Sequence, residues 1–362
     1  MRKKLIACFA IVALVLTFIS ACGPAAEQPV AEAEEQETVE VEEEVAQEEP
    51  EPDEAAEQPA DATVGEGVRL TFATGGTGGT YYPFGGIIAG VLSNVTPLQV
   101  TPNASGASVD NLGQIEAGDA HIVLAQNDAS YYAFTGTEIW AGRDPVPELR
   151  VLMALHPEPV HIVVQDDSGI YTVEDLAGMR VSIGDVGSGV EANSIQILGV
   201  HGLTLDDIHV FNLGVGPSAD AMREGSIDAF FWTAIYPTAA IMELGVRHDL
   251  RLIPIDDERV AMLTEQYDFY SKTYFDPNRE ETYDFLTEPV QTVTVHAQLV
   301  VHADMDEDIV YLIVRTIMDH REEIAAGHRA GAYIDEVHAV THISIPLHPG
   351  AERFFRNAGV ID

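Results

Sequence analysis

Short apolar runs alternate with helical patterns along residues 69–362 of this 362-residue chain. The runs predict strands at Leu70–Ala73, His121–Ala125, Leu149–Leu155, Val160–Gln165, Arg180–Ile183, His209–Leu213, Ala229–Trp232, Arg251–Ile255 and Thr292–Val301. Between them, apolar positions at helical spacing predict helices at Ser108–Ala117, Val190–Leu198, Ser218–Glu224 and Ile309–Ala326, and a further helix beginning at Gly85. This alternation predicts an α/β fold with mostly parallel sheets.

Residues 68–362 are more than one ordinary domain holds, so we expect two lobes. The runs His161–Gln165 and Val290–Ala297 are long enough to serve as hinge strands that cross between them. Crossing at both places would give lobe I residues 68–165 and 292–362, and lobe II residues 166–291. Ligands of such clamshell folds bind in the cleft where strand ends and helix N-termini converge.

A glycine-rich stretch follows the first predicted strand, and from Thr74 to Pro83 it reads TGGTGGTYYP. Glycines at a strand-to-helix turn let the backbone approach a ligand, and the N–H groups of the helix N-terminus attract anions. The stretch has neither the Gly-Lys-Ser/Thr ending nor the G-x-G-x-x-G spacing of nucleotide sites. A small carboxylate fits better, and we take Gly78, Gly79, Thr80, Tyr81 and Tyr82 as candidate ligand contacts.

Four more segments place polar, small or aromatic residues at predicted strand-to-helix junctions. Their candidate ligand-binding residues are Ser108, Gln126, Ser188, Gly189, Trp232 and Tyr236. Two alternatives stay open, since Ser108 is equally suited to cap a helix and the aromatic residues to fill the core. These loops contain no arginine for a bidentate clamp on a carboxylate. Recognition by amides and hydroxyls favours a monoacid or zwitterion, whose ammonium group Asp128 or Glu191 could pair with.

The first 22 residues have the form of a bacterial lipoprotein signal. Arg2–Lys4 precede an apolar run, Leu5–Ile19, and small residues then lead to Cys22. We expect residues 1–21 to be a signal peptide and Cys22 to carry the lipid that anchors an extracytoplasmic protein to the cell membrane. The alternative is an ordinary signal peptide with an incidental cysteine.

Residues 22–67 predict a disordered acidic tether. The segment holds 15 Glu and 2 Asp without a lysine or arginine, so it cannot bury enough apolar surface to fold. The rest of the chain still has 42 acidic and 15 basic residues after the three basic residues of the signal are set aside. This negative charge excludes a nucleic-acid partner.

Enzyme motifs are missing from the sequence. There is no G-x-S-x-G elbow, and no cysteine follows Cys22. His338 and His342 have the spacing of zinc ligands on a helix, but no H-E-x-x-H accompanies them and Pro346 follows closely. We therefore expect no catalytic residue, no metal and no cofactor.

Taken together and in order, the segments resemble the TAXI family, the solute-binding receptors of tripartite ATP-independent periplasmic (TRAP) transporters. The matching segments are Thr74–Pro83, Ser105–Leu112, Gln126–Asp128, Asp175–Val181, Gly187–Gly189, Gly225–Phe231 and Ile345–Ala351. The resemblance implies a two-lobed periplasmic-binding-protein-like clamshell that captures a small carboxylate, such as glutamate, glutamine or an oxoacid. The partner would be a TRAP membrane permease.

Two departures from the family pattern imply a changed pocket. Val190 stands where the family usually has threonine, and Tyr236 where it usually has glycine. The same clamshell also serves ATP-driven (ABC) importers and sensor systems, so a ligand-binding lipoprotein of either kind is the alternative.

Overall fold

A computed structural model describes residues 64–362 of the chain. The predicted signal peptide, the lipid anchor at Cys22 and nearly all of the acidic tether lie outside the described residues. The strands are β1 (Arg69–Ala73), β2 (Gln99–Asn103), β3 (Ile122–Gln126), β4 (Leu149–Gln165), β5 (Arg180–Ser182), β6 (His209–Phe211), β7 (Ala229–Thr233), β8 (Leu250–Leu252), β9 (Ser271–Phe275) and β10 (Val290–His302). The helices are α1 (Tyr81–Val95), α2 (Ser108–Ala117), α3 (Asn127–Thr135), α4 (Gly189–Val200), α5 (Val215–Arg223), α6 (Ala239–Gly245), α7 (Asp257–Gln266), α8 (Glu307–Asp319), α9 (Arg321–Gly327), α10 (His338–Thr341) and α11 (Pro349–Asn357).

The strands follow the order β2-β1-β3-β10-β4-β7-β5-β6, with β8 paired to β4 and β9 to β10. Pairing is parallel among β1, β2 and β3, and again among β5, β6 and β7. The central strands β4 and β10 run antiparallel to their neighbours. The sheets are therefore mixed, not mostly parallel as the alternation of elements predicts, because the two shared strands return in the opposite direction.

Strands β4 and β10 belong to both halves of the fold. Strand β4 pairs with β10 as far as Pro159 and with β7 from Val160 onwards. We call the elements built on β1–β3 lobe I and those built on β5–β8 lobe II. The predicted pair of crossing strands is thus present, while the predicted residue boundaries of the lobes remain predictions.

The predicted strands Leu149–Leu155 and Val160–Gln165 are one continuous strand of 17 residues. The segment between them contains Pro157 and Pro159, which lack the N–H of a regular ladder. Opposite Pro157, the pairing register of β10 shifts between His296 and Gln298. That irregularity lets the strand continue through prolines that otherwise indicate a break.

Three further expectations differ from the structure. The predicted helix Ile309–Ala326 is two helices, α8 and α9, that meet at His320. Helix α1 begins at Tyr81 rather than Gly85. The sequence reasoning missed β2 and β9, whose sequences QVTPN and SKTYF are too polar for an apolar-run criterion.

Each lobe has its own buried apolar core. In lobe I, Phe84 and Ile88 of α1 pack with Phe355 of α11. In lobe II, Val181 and Phe231 pack with Ile197 of α4. The two-lobed α/β architecture predicted from the sequence is therefore confirmed. Within residues 64–362, no helix has the length and apolar character needed to cross a membrane.

Candidate ligand-binding site

A cavity of about 250 Å³ lies between the lobes. Backbone-rich loops contribute most of its wall, and a few polar or aromatic side chains complete it. Its lining residues are Gly75, Gly76, Thr77, Gly78, Gly79, Thr80, Tyr81, Ala107, Ser108, Gln126, Glu158, Asp185, Ser188, Gly189, Val190, Gly214, Val215, Gly216, Pro217, Trp232, Thr233 and Ala234. Nine of the eleven predicted ligand contacts are among them: Gly78, Gly79, Thr80, Tyr81, Ser108, Gln126, Ser188, Gly189 and Trp232.

The glycine-rich loop leads from β1 into the N-terminus of α1. Thr80 occupies the N-cap position, its side chain makes no capping hydrogen bond to the described residues, and the first turn of α1 contains no acidic residue. The N–H groups of this turn therefore keep their capacity to bind an anion. Gly79 is needed for packing as well, because a Cβ there would lie 3.2 Å from the Trp232 ring of lobe II.

Ser108 supports the site from its edge instead of capping α2. Its Oγ accepts a hydrogen bond from the backbone N–H of Gln126 at 3.1 Å, and it makes no capping bond within the described chain. That contact holds the end of β3, from which the Gln126 side chain reaches the cavity. Oε1 of Gln126 is buried without a hydrogen-bond partner in residues 64–362, so the amide is available to a ligand.

Gln126 of lobe I meets Gly189 of lobe II at the start of α4. A Cβ at position 189 would lie only 1.7 Å from Oε1 of Gln126, so the glycine leaves the space that the Gln126 amide occupies. The helix is capped by Ser188, whose Oγ accepts from the N–H of Glu191 at 3.2 Å, while Oε2 of Glu191 accepts from the N–H of Gly187 at 2.8 Å. Glu191 is thereby engaged in the cap and does not line the cavity.

The N-terminus of α5 is a third helix end at the cavity, which sequence reasoning missed. Gly214, Val215, Gly216 and Pro217 form this part of the wall. Among the described residues, α5 has no side-chain cap and no acidic residue in its first turn. The sequence does contain a signal for this helix start, because a Gly-x-Gly-Pro sequence after a short strand is typical of a tight turn into a helix.

Strand β7 brings an aromatic ring and a hydroxyl to the cavity. Trp232 packs against Gly79, and its Nε1–H donates to Oγ1 of Thr238 at 3.2 Å. Next to it, Oγ1 of Thr233 is buried and has no hydrogen-bond partner in the described part of the chain. Thr233 thus offers a second polar group that a ligand can satisfy.

Two predicted contacts, Tyr82 and Tyr236, are not among the lining residues. Tyr82 is exposed on the outer side of the first turn of α1, because consecutive helical residues face different directions. Tyr236 is buried in the core of lobe II, where its ring packs against Phe275 at 4.9 Å between centroids. The ring at position 236 therefore fills the core of lobe II, and of the two family departures only Val190 is at the cavity wall.

The cavity also contains a buried carboxylate that sequence reasoning missed. Oε2 of Glu158 accepts a hydrogen bond from the Tyr81 hydroxyl at 2.7 Å, and its Oε1 lies 3.3 Å from Nε2 of His156. Burial, together with the charge of Glu158, raises the pKa of the Tyr81 phenol well above its usual range, so the hydroxyl remains a donor. Glu158 escaped notice because it lies between Pro157 and Pro159, in the gap between two predicted strands.

Three histidines, His296, His338 and His342, cluster together, and one pair of them is stacked. His296 and His342 stack with their ring centroids 3.6 Å apart, and His338 lies 5.2 Å from His342. Burial lowers the pKa of His296 to about 2, with a further contribution from the neighbouring histidines. Across residues 64–362, no group of three or more His, Cys, Asp or Glu residues is placed to hold a metal ion.

Residues 72–359 match the model of the NMT1-like family. The chain belongs to the NMT1-like family. The match spans the glycine loop, both crossing strands and α11, so this NMT1-like chain carries the family pattern over both lobes.

This NMT1-like protein is similar in fold to several solved structures. PhnD1 of Prochlorococcus marinus, solved in complex with methylphosphonate, is 11% identical with a TM-score of 0.50, over 81% of this chain and 99% of that one. The alkanesulfonate-binding protein SsuA of Xanthomonas axonopodis pv. citri, bound to MOPS, is 16% identical with a TM-score of 0.45, over 80% and 84%. A putative L-cystine ABC transporter structure from Listeria monocytogenes is 12% identical with a TM-score of 0.46, over 74% and 98%. The fold is that of periplasmic solute-binding proteins.

Proposed function

We propose that this protein is an extracytoplasmic receptor that captures a small carboxylate in the cavity between its lobes and delivers it to a membrane importer. It acts by binding and not by catalysis. The ligand contacts are Gly78, Gly79, Thr80, Tyr81, Ser108, Gln126, Ser188, Gly189, Trp232 and, in addition to the sequence-based set, Thr233.

The observation that carries this proposal is the convergence of three helix N-termini on one cavity. Helices α1, α4 and α5 come from different lobes, and each begins at residues that line the wall. Helix N-termini present N–H groups and a partial positive charge. A carboxylate there would be bound from both lobes at once, so its binding would favour the closed form.

The membrane attachment is part of the same proposal. A lipid on Cys22 and an acidic tether of residues 22–67 would keep the receptor near its importer. Mass spectrometry of the purified protein tests this: the mature chain should begin at a diacylated Cys22. An unmodified cysteine, or cleavage elsewhere, would contradict the anchor and leave the receptor proposal standing.

Two importer classes are candidates. An ABC importer fits the comparisons better, since the one transporter class named among the structures described above is the ABC class. A TRAP permease has the support of the sequence motifs, which resemble the TAXI receptors, while the family match is to the broader NMT1-like group. Uptake by cells that express this receptor distinguishes them: an ABC importer requires ATP, whereas TRAP transport stops when the ion gradient is collapsed.

Thermal melting of the purified protein against a panel of amino acids, oxoacids and dicarboxylates tests the receptor function. The protein is first unfolded and refolded to remove copurified ligand. A ligand at 100 times its dissociation constant adds about 2.7 kcal/mol to the stability of the folded state, which gives a clear rise in Tm. If no acid raises the Tm of the folded protein, the carboxylate proposal is wrong.

A further inference from the structure

The charged residues that line the cavity in the described chain are all acidic. Among its lining residues in the described chain, Glu158 and Asp185 are acidic and none is Lys, Arg or His. A wall built only to hold an acid would be expected to contain a cation, because charge-assisted bonds to arginine are the strong anchors for carboxylates. Two carboxylates in the wall instead indicate that the ligand brings positive charge of its own.

Glu158 is the acid on which this inference rests, because it is buried in the wall. Its exposed fraction is 1%, whereas Asp185 is exposed at the rim. The hydroxyl of Tyr81 donates to Oε2 at 2.7 Å and fixes the carboxylate in place. One hydrogen bond does not satisfy a carboxylate, which has about four acceptor positions.

The neighbouring His156 lies at ion-pair distance from Glu158 but makes no hydrogen bond to it. Its Nε2 is 3.3 Å from Oε1, yet neither ring nitrogen of His156 makes a hydrogen bond to any described residue. His156 also stands behind the wall, since it is not among the lining residues. Burying a carboxylate with so few partners is costly unless a cation or further donors reach it.

We infer that Glu158 is the subsite for an ammonium group, and that the ligand is therefore a zwitterion such as an amino acid. The inference rests on the receptor function proposed above and narrows its substrate class. The carboxylate of the ligand would face the N-termini of α1, α4 and α5, and its ammonium group would face Glu158. An oxoacid would place a neutral carbonyl oxygen next to Glu158, and a dicarboxylate would place negative charge there, so both would bind worse.

Tyr81 is a positioning residue for this subsite. Its ring packs edge-on to His156 at 6.2 Å between centroids, and its hydroxyl orients Glu158. Removing the hydroxyl, in Tyr81→Phe, should therefore weaken binding of an amino acid more than binding of the acid without its amino group. A purely structural role would weaken both equally.

The test compares ligands that differ only in the amino group. The probes are alanine, leucine, glutamate and glutamine, each paired with its oxoacid, in calorimetric titrations of the refolded protein. We expect at least one amino acid to bind about 10- to 100-fold more tightly than its oxoacid, the range of a hydrogen bond to a charged group. Measurement at pH 8 keeps imidazoles of ordinary pKa, about 6.5, uncharged.

The variant Glu158→Gln tests the residue itself. Glutamine keeps an oxygen that accepts from Tyr81 but removes the charge, so amino-acid affinity should fall about 10- to 100-fold while oxoacid affinity stays or rises. Glu148→Gln is the matched control, since Glu148 is exposed just before the same strand and should bind like the wild type. The wild-type comparison needs no variant, so it stands even if Glu158→Gln fails to fold.

The outcomes separate this inference from the receptor function. An oxoacid that binds as tightly as its amino acid, or a Glu158→Gln protein with unchanged amino-acid affinity, overturns the ammonium subsite and leaves the receptor in place. If neither member of any pair binds, the carboxylate receptor proposal itself fails, and the ammonium subsite fails with it.

Discussion

Oδ2 of Asp128 in lobe I accepts a hydrogen bond from Nδ2 of Asn193 in lobe II at 2.7 Å. Both side chains are fully buried. Asn193 also donates to the Tyr270 hydroxyl at 2.8 Å, which in turn donates to Oε1 of Gln196 at 2.7 Å. A buried polar network thus joins the start of α3 to the inner face of α4. The network engages Oδ2 of Asp128, while its Oδ1 has no hydrogen-bond partner among the described residues. Asp128 is not among the lining residues of the cavity, so we do not assign it to a ligand ammonium group.

We predict that Asp128 makes the protein less stable as the pH rises from about 4 to about 7. Burial is the main cause that raises the pKa of this carboxyl from 3.8 to about 7, against opposing hydrogen bonds from Ala129 and Asn193. A raised pKa means that the unfolded state loses its proton first, so stability is greatest below pH 4 and falls until the folded form also ionises. The loss amounts to as much as about 4 kcal/mol.

The variant Asp128→Asn tests this prediction, because it keeps an acceptor for Asn193 without the charge. Chemical denaturation across the pH range should show a flatter profile than the wild type and greater stability at pH 8. Asp119→Asn, at an exposed acid, is the control and should follow the wild type. Parallel profiles for Asp128→Asn and the wild type would contradict the prediction.

Gly189→Ala should impair ligand binding without unfolding either lobe. The new Cβ would overlap Oε1 of Gln126 in the opposite lobe, so the Gln126 side chain has to move and the closed form should lose about 1 kcal/mol. Ligand affinity falls by a similar free energy, because binding requires the closed form. Gly199→Ala in the same helix has no atom within 4 Å of its Cβ and is the matched control. Calorimetric titration of both variants decides, and wild-type affinity in Gly189→Ala would refute the steric argument.

Tyr236→Phe should lower stability without changing ligand affinity, whereas Thr233→Val should lower ligand affinity with little change in stability. The Tyr236 hydroxyl accepts from the N–H of Asp276 at 3.1 Å in the core of lobe II, so its loss should cost about 1 kcal/mol of stability and leave ligand affinity unchanged. The Thr233 hydroxyl faces the cavity without a partner in the described residues. Its loss should change stability little and weaken ligand binding. Melting and titration of both variants measure the contrast, which fails if Tyr236→Phe alters ligand affinity.

Ligand binding should narrow the range of distances between the lobes. The sequence has cysteines only at positions 8 and 22, so spin labels can be placed at Ala117→Cys in lobe I and Val246→Cys in lobe II once Cys22 is replaced by serine. Both sites are exposed. Addition of ligand should give one narrow distance population, while the control pair Val95→Cys and Ala117→Cys, both in lobe I, should not change. Identical distributions with and without ligand would exclude hinge closure.

The sequence was sufficient for much of the fold and for the backbone part of the site. Apolar runs located β1, β3, β5, β6, β7 and β10, because apolar residues are clustered in these strands. Glycines just before α1 and α4 predicted these two parts of the cavity wall. A loop that binds a ligand through its backbone needs residues without side chains in the way. These features are local, so a single stretch of sequence reveals them.

Features that depend on contacts between residues far apart in the chain could not be predicted from the sequence. Glu158 enters the cavity because β4 continues through Pro157 and Pro159, which a local criterion treats as a break. Tyr236 looks like a ligand contact beside Trp232, but it follows the end of β7 and packs against the ring of Phe275 in the core of lobe II. The sequence also did not predict whether the strands pair in parallel or antiparallel, because nothing within β4 or β10 specifies that they run antiparallel to their neighbours.

Strand β10 has a consequence for the order in which the chain can fold. It is inserted between β3 and β4, yet it follows them by more than a hundred residues in the sequence. During synthesis, β3 and β4 therefore keep unpaired edges until Val290–His302 emerges from the ribosome or the translocation channel. The central sheet can therefore be completed only after most of the chain has been synthesised, because its middle strand comes late in the sequence.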